Sequence, residues 1–116
     1  MTRRVALVLT GAPADERSLT ALRLAERLLA RGSRVTVFAH GAAAGLSSGD
    51  TDSARAIGAL LRRGVHGATL DWVVDAAASD ELGSGAAQAS GVVRGDHADL
   101  WAFVREADLV LSVGGG

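Results

Sequence analysis

The chain has 116 residues and a formal net charge of −1, which suits one domain with one core and excludes the strongly basic surface of a nucleic-acid-binding protein. Its twelve basic residues are all arginine and lie scattered, so we interpret them as solvated helix faces. The sequence has no cysteine, which excludes disulfides, thiolate and persulfide chemistry and cysteine-based metal sites.

The aromatic side chains are few, namely Phe38, Trp72, Trp101 and Phe103. The core must therefore consist mainly of valine, leucine and alanine, and these small side chains limit the apolar area that each residue buries. Oligomerisation is a common way for such a chain to bury more apolar surface.

A short apolar run, residues 5–9, follows Arg3 and Arg4. This run is too short for the apolar region of a signal peptide, and no stretch approaches the length of a membrane span. We therefore expect a cytoplasmic protein without a membrane partner.

The first forty residues have the pattern of a strand, a helix and a second strand. Residues 5–9 form a continuous apolar run, which is typical of a strand buried on both faces of a parallel sheet. A helix capped by Asp15 or Ser18 follows and ends near Gly32, with its apolar positions at helical spacing: Leu19, Leu22, Ala25, Leu28 and Leu29. Residues 34–40 are the second strand.

The pattern continues to the end of the sequence. A loop over 41–52 leads to a helix over 54–63, a strand over 68–74 and a short helix over 75–82. Residues 83–95 are the least ordered-looking stretch, and Asp96 caps a last helix over 98–106 with Leu100, Phe103 and Val104 inward. Residues 109–113 form a fourth strand. This alternation predicts a single α/β domain over 1–116, with a mostly parallel sheet of four or five strands covered on both faces.

Candidate site residues lie where the predicted strands end, because open α/β sheets bind ligands beyond the carboxyl ends of their strands. The residues there are Thr10, Gly11, His40, Asp75 and Ser112, with Ser79 or Asp80 as further candidates. Each also has a structural interpretation. Thr10 and Gly11 fit an anion-binding loop or a plain turn, His40 fits a general base or a hydrogen-bonded loop residue, and Asp75 fits an acid or base or a helix cap.

Cofactor signals are weak throughout the sequence. No Gly-x-Gly-x-x-Gly or Walker pattern is present, and the three histidines lack the spacing of metal ligands. We therefore expect no cofactor and no metal. The final residues, Gly114, Gly115 and Gly116, match the bare glycine tail of ubiquitin-like sulfur carriers, but those carriers have a β-grasp fold that begins with a hairpin.

Two sets of segments show a pattern beyond the alternation of strands and helices. The opening set is Arg4 to Leu9, Gly11-x-x-x-Asp15-Glu16-Arg17, residues 21–25 and Gly32-x-x-Val35-Thr36-Val37-Phe38. The closing set is Gly95-x-x-Ala98-Asp99-Leu100 with residues 106–111. Together they resemble DsrE-like proteins, the DsrE/DsrF-like family that includes the sulfur-relay subunits TusB, TusC and TusD. The resemblance implies a three-layer α/β/α fold, trimers or hexamers, and intracellular sulfur transfer.

The same resemblance places a persulfide-carrying cysteine at or just after the third strand, where this sequence has Asp75. An aspartate forms no persulfide. We therefore expect a non-catalytic, DsrE-like oligomeric subunit, structural or ligand-binding, as a homo-trimer, a homo-hexamer or a hetero-oligomer with related subunits. The alternatives are a small enzyme that uses His40 and Asp75, a carrier that uses the glycine tail, and a flavodoxin-like or receiver-like domain.

Overall fold

A computed structural model describes residues 3–10, 16–49, 51–63, 70–81, 88–89 and 91–113, without the side chains of Arg17 and Arg63. The elements in chain order are β1 Arg4–Leu9, α1 Glu16–Ala30, β2 Arg34–Ala39, a 3₁₀ helix Gly41–Gly45, α2 Asp52–Arg63, β3 Leu70–Asp75, α3 Ala76–Glu81, β4 Val93–Gly95, α4 His97–Glu106 and β5 Leu109–Val113. The predicted alternation of strands and helices is confirmed. The predictions on Gly11 and on the three terminal glycines lie outside the described residues.

The five strands form one parallel sheet in the order β4-β3-β2-β1-β5. The first strand of the sequence is therefore central, with Val5 beside Val35 of β2 on one side and beside Leu109 of β5 on the other. The last strand forms one edge of the sheet, and the other edge is β4.

Strand β4 lies at the end of residues 83–95, the stretch that looks least ordered in the sequence, and Val93–Gly95 pairs there with the end of β3. Its three residues are too few for an alternating pattern, and Gly95 is a poor strand former. The strand exists because the longer neighbour β3 provides a template for its hydrogen bonds.

One face of the sheet carries the core of the molecule. The alternate residues of β1, β2 and β3 that point to this face are nearly inaccessible to solvent, and they pack against α1, α2, α3 and the 3₁₀ helix. The strand residues concerned are Val5, Leu7, Leu9, Val35, Val37, Ala39, Leu70, Trp72 and Val74. Among the described residues, Trp72 is the only aromatic side chain of this core, and its other members are valine, leucine, alanine and Ile57.

Helix α1 differs from its prediction at one apolar position. Ser18, Ala21, Leu22 and Ala25 are buried, but the side chain of Leu19 is 48% exposed. A small polar residue, Ser18, occupies the buried position that the spacing of the leucines assigned to Leu19.

Helix α4 is the only described helix that packs on the second face of the sheet, where it contacts β1 and β4. Asp96 begins it with a capping box: the Asp96 carboxylate accepts from the Asp99 backbone N–H at 3.1 Å, and the Asp99 carboxylate accepts from the Asp96 N–H at 2.9 Å. None of its residues is fully buried, and the inward set is only half-buried: Leu100, Phe103 and Val104. The second face is nevertheless covered, as predicted, because its strand residues Ala6, Phe38 and Val73 are buried.

Candidate functional site

Three of the predicted site residues lie in a row across the carboxyl end of the sheet. Ala39 pairs with Leu9 on one side and with Val74 on the other, so the next residues along the three strands, Thr10, His40 and Asp75, are neighbours. Adjacent strands lie about 4.8 Å apart, so the row spans about 10 Å between its outer backbones. By strand alternation all three side chains belong to the second face, opposite the main core.

His40 lies in the middle of this row and is half-buried. Its backbone N–H donates to the carbonyl of Leu9 at 3.0 Å, and its extended backbone begins the 3₁₀ helix. The imidazole lies beside the ring of Phe38, with the ring centroids 6.3 Å apart and tilted by 47°. Phe38 lies two residues before His40 and therefore places an apolar ring beside the imidazole.

Asp75 caps helix α3. Its carboxylate accepts a hydrogen bond from the backbone N–H of Ala78 at 3.3 Å, and the side chain is half-buried. One carboxylate oxygen thus satisfies a donor of the first helical turn. Asp75 also follows Val74, the strand neighbour of Ala39, so its backbone lies next to that of His40 in the row while its carboxylate caps α3.

The remaining two candidates lie toward the β5 edge. The backbone N–H of Thr10 donates to the carbonyl of Val113 at 3.1 Å, which holds the end of β1 against β5. Ser112 is exposed and pairs with Val8, two residues before Thr10, on the same second face. The row and Ser112 therefore share one side of the sheet, with Ser112 set back from the carboxyl end.

Ser79 and Asp80 take part in other contacts. The hydroxyl of Ser79 is buried and accepts a hydrogen bond from Nε2 of Gln88 at 3.1 Å. The two carboxylate oxygens of Asp80 accept hydrogen bonds from Nη2 of Arg94 at 2.7 and 2.9 Å. The Gln88 amide also donates to the carbonyl of Ala44 at 2.9 Å and accepts from the hydroxyl of Ser47. This Gln88 network, which sequence spacing cannot show, attaches residues 88–89 to the core.

A cleft of about 160 Å³ lies at the opposite, amino end of the strands, where the sequence prediction placed no site. It separates the end of α4 from the second face of the sheet, and its lining includes Phe103, Thr36, Arg4, Arg34, Asp71 and Glu106. Arg4 and Glu106 approach each other to 3.7 Å across it. The charged residues of this lining are two arginines, one aspartate and one glutamate, so the cleft has no single charge preference.

No group of three or more histidine, cysteine, aspartate or glutamate side chains comes together among the described residues. None of the helices in that part of the chain has the length and apolar character needed to cross a lipid bilayer.

Large apolar side chains of α4 and of the edge strand β5 are exposed. We call them the α4–β5 surface and define it by Trp101, Leu109 and Val110, which are 61%, 40% and 40% exposed. Val110 pairs with Ala6 on the second face and Leu109 pairs with Val5 on the core face, so this surface extends around the β5 edge.

Asp99 lies against Gly95 of β4. Trp101 is two residues further along α4, which is a rotation of about 200° around the helix axis, so its side chain lies on the flank away from β4 and toward β5. The sequence pattern does not indicate this surface, because the apolar residues 109–113 are typical of a strand in a sheet covered on both faces.

No protein-family model and no curated protein sequence matches the chain. Among solved structures, the chain is similar to the ychN protein from E. coli, with a TM-score of 0.79 and 17% identity over 97% of this chain and 99% of that one. It is also similar to BT1422, a conserved protein of unknown function from Bacteroides thetaiotaomicron, with a TM-score of 0.74 and 16% identity over 94% and 93%. At these identities the likeness shows the fold, which is the three-layer α/β/α, DsrE-like fold.

Proposed function

We propose that the chain is a non-catalytic, DsrE-like subunit that works in an oligomer. The oligomer is a homo-trimer or homo-hexamer, or a hetero-oligomer in which a related subunit supplies a persulfide-bearing cysteine and the link to sulfur metabolism. The observation that carries this proposal is the α4–β5 surface, with the large indole of Trp101 at 61% exposure.

The uneven cover of the sheet supports assembly. One face packs against four helical elements, whereas the other has a single helix without a fully buried residue. Exposed apolar surface gains free energy when it leaves water, at about 25 cal/mol per Å². A second subunit on the α4–β5 surface would complete the third layer over β5.

The chemistry of residue 75 supports a non-catalytic role. The resemblance to DsrE-like proteins places the sulfur-carrying residue at this point, and here the side chain is a carboxylate that caps α3. The sequence contains no cysteine that could take its place. A persulfide carried by the proposed oligomer must therefore reside on another subunit.

A small ligand fits the same proposal. The row of Thr10, His40 and Asp75 offers a hydroxyl, an imidazole and a carboxylate on one face, with Gly11 next in sequence and Ser112 nearby on β5. Such a set can position a small polar molecule through hydrogen bonds without any covalent step.

Native mass spectrometry of the gently purified protein tests the assembly. We expect a trimer or hexamer for the wild type and a shift to monomer for Trp101→Glu, because a carboxylate on the α4–β5 surface would be desolvated at the interface. Leu19→Glu is the matched control, since Leu19 is similarly exposed but lies on α1. A wild-type monomer would refute both homo-oligomers, and an equal effect of both substitutions would refute the role of the α4–β5 surface.

The intact mass of the same denatured sample tests the carrier alternative. An unmodified chain supports the proposed subunit, whereas replacement of oxygen by sulfur at the carboxyl terminus would favour a carrier that uses the glycine tail.

The neighbouring positions of His40 and Asp75 favour one second candidate, a small enzyme. Any small molecule retained in the native spectrum provides the probe. In a binding subunit, Asp75→Ser keeps an oxygen for the α3 cap but weakens retention of this molecule, and the wild type leaves the molecule unchanged. Conversion of the molecule by the wild type but not by His40→Gln would establish the enzyme instead.

A further inference from the structure

The two edges of the sheet differ in how well they are protected against pairing with a strand of another molecule. Edge strands expose unpaired backbone groups, and proteins usually shorten them or add charge or proline. The β4 edge has both devices, since it is three residues long and includes Arg94, which pairs with Asp80 at 2.7 Å. The β5 edge has neither, because Leu109–Val113 is five residues long, without charge or proline.

The outward backbone groups of β5 can be identified from one hydrogen bond. The carbonyl of Val113 accepts from Thr10 of β1, so the backbone of Val113 points inward to the sheet. Backbone groups two residues apart on a strand point the same way, so Leu111 also points inward. The N–H and carbonyl groups of Val110 and Ser112 therefore point away from β1, beyond the edge of the sheet.

We propose that β5 pairs antiparallel with β5 of a second copy of this chain, across a twofold axis at Leu111. Two five-stranded sheets then form one continuous sheet of ten strands. The inference deepens the proposed oligomer by naming one of its contacts. It rests on the proposed function in its homo-hexameric form, because two trimers in a hexamer are related by twofold axes and a single trimer has none.

The residues of β5 are complementary to themselves in this arrangement. Leu111 lies opposite Leu111 of the second copy, Leu109 opposite Val113, and Val110 opposite Ser112. The outward backbone groups of Val110 and Ser112 then exchange hydrogen bonds with those of Ser112 and Val110 across the axis. Every residue of the strand has a partner, and no charged side chain enters the pairing.

The charge next to the strand favours the antiparallel direction. Asp108 precedes β5, and the residues after Val113 are uncharged glycines in the sequence. Antiparallel pairing places the two Asp108 residues at opposite ends, about 20 Å apart at 3.4 Å per residue. This distance exceeds the Debye length of about 8 Å at physiological ionic strength, so the two carboxylates do not oppose pairing.

Single-cysteine variants test the pairing in the full chain, because the wild type contains no cysteine. Leu111→Cys should form a disulfide-linked dimer under mild copper–phenanthroline oxidation. Its backbone points away from the second copy, so the pair is of the non-hydrogen-bonded kind with Cα atoms about 4.5 Å apart, within disulfide range. Val110→Cys alone should not crosslink, since its two copies lie about 8 Å apart, beyond that range.

A mixture of Val110→Cys and Ser112→Cys gives a second, independent readout. Both side chains are exposed, so these substitutions spare the core even where Leu111→Cys disturbs it. We expect a mixed disulfide dimer from the mixture and none from either variant by itself. Leu19→Cys, on the exposed side of α1, is the control for random collision.

The outcomes separate this inference from the proposed function. A native trimer, or a native oligomer without the crosslink of residue 111 or of the mixture, overturns the pairing and leaves the oligomeric subunit in place. Equal crosslinking of Leu19→Cys also overturns the pairing. Specific crosslinks together with an oligomer that Trp101→Glu leaves intact would retain the pairing and refute the role of the α4–β5 surface.

Discussion

Gly95 allows helix α4 to approach the sheet closely. A Cβ atom at this position would lie 2.7 Å from Cγ1 of Val73 and 3.0 Å from a carboxylate oxygen of Asp99, and both distances are shorter than normal contacts. Val73 is buried in β3, so it has little freedom to move away. The absence of a side chain at Gly95 thus determines how closely the only described helix of the second layer packs.

We expect Gly95→Ala to lower the free energy of unfolding by about 1–3 kcal/mol, the usual cost of overpacking a filled site. Urea titration followed by circular dichroism measures this change. Adding Val73→Ala should recover part of the loss, because it removes the methyl group nearest to the new Cβ. Gly58→Ala is the control: its Cβ meets only Arg62 at 3.6 Å, and we expect a gain of about 0.5–1 kcal/mol. An equal loss in both glycine variants would contradict this account.

The stability of the first turn of α4 depends on pH through the Asp96 carboxylate. The backbone N–H of Asp99, which donates to the Asp96 carboxylate, lowers the pKa of Asp96 below its ordinary value of 3.8. The stabilisation that this cap provides is therefore complete above 3.8 and is lost as the pH falls through the lowered pKa.

We expect Asp96→Ala to lower the melting temperature by a few degrees at neutral pH, because the first turn of α4 loses its cap. The difference from the wild type should shrink on acidification, when the wild-type carboxylate is itself protonated. Thermal melts of both proteins across this range measure the effect, and a difference that is constant with pH would show that the charge of Asp96 plays no part.

Among the elements, residues 88–89 depend most clearly on side-chain hydrogen bonds. The amide of Gln88 connects Ser47, Ser79 and the carbonyl of Ala44, and the Ala89 N–H donates to the carbonyl of Ser47 at 2.8 Å. Ser47 and Ser79 are fully buried. The network attaches the chain before β4 to the region where β2 and β3 end.

We expect Gln88→Ala to lower the free energy of unfolding by about 1–3 kcal/mol, because a buried hydroxyl that loses its partner pays a desolvation cost of this size. Arg94→Ala, which removes a nearby exposed ion pair, should cost at most about 1 kcal/mol. Chemical denaturation of the two variants compares these losses. A larger loss for Arg94→Ala would assign the attachment of this segment to the ion pair instead.

The sequence predicts those helices and strands that are long enough to show a pattern of apolar residues. Residues 5–9, 34–40 and 109–113 were predicted as strands and form β1, β2 and β5, and Asp96 was correctly identified as the cap of α4. Strand β4 escaped prediction because pairing with β3, rather than its own three residues, determines it. The row of Thr10, His40 and Asp75 was expected from the rule on strand ends, but its register comes only from the pairing of the strands. Trp101 is exposed because α4 is the only described helix on the second face of the sheet. No local sequence pattern indicates that this layer has a single helix.

For the whole molecule, the two tryptophans provide separate signals. Trp72 is 1% exposed in the core and Trp101 is 61% exposed on the α4–β5 surface. Assembly through this surface would bury Trp101 and leave the surroundings of Trp72 unchanged. The emission maximum of Trp101 should therefore report association.

We expect the emission of the wild type to shift to longer wavelength on dilution, as the oligomer dissociates and Trp101 enters water. Trp101→Phe should emit at a shorter wavelength that is independent of concentration, because only the buried Trp72 remains. Fluorescence over a dilution series, with sedimentation at the same concentrations, measures both. A wild-type spectrum that stays constant while sedimentation shows dissociation would place the interface elsewhere.

The position of β1 in the middle of the sheet has a consequence for synthesis on the ribosome. Arg4 and its hydrogen-bond partner Asp108 are 104 residues apart, so one side of the central strand waits for nearly the last element to be made. At about 5–20 residues per second, this delay is about 5–20 s. During this time β1 can pair with β2, but its other edge, the apolar run Val5 to Leu9, stays open to other nascent chains. The nascent protein therefore has its greatest need of a chaperone before β5 emerges, and slow codons ahead of Leu109 would prolong that need.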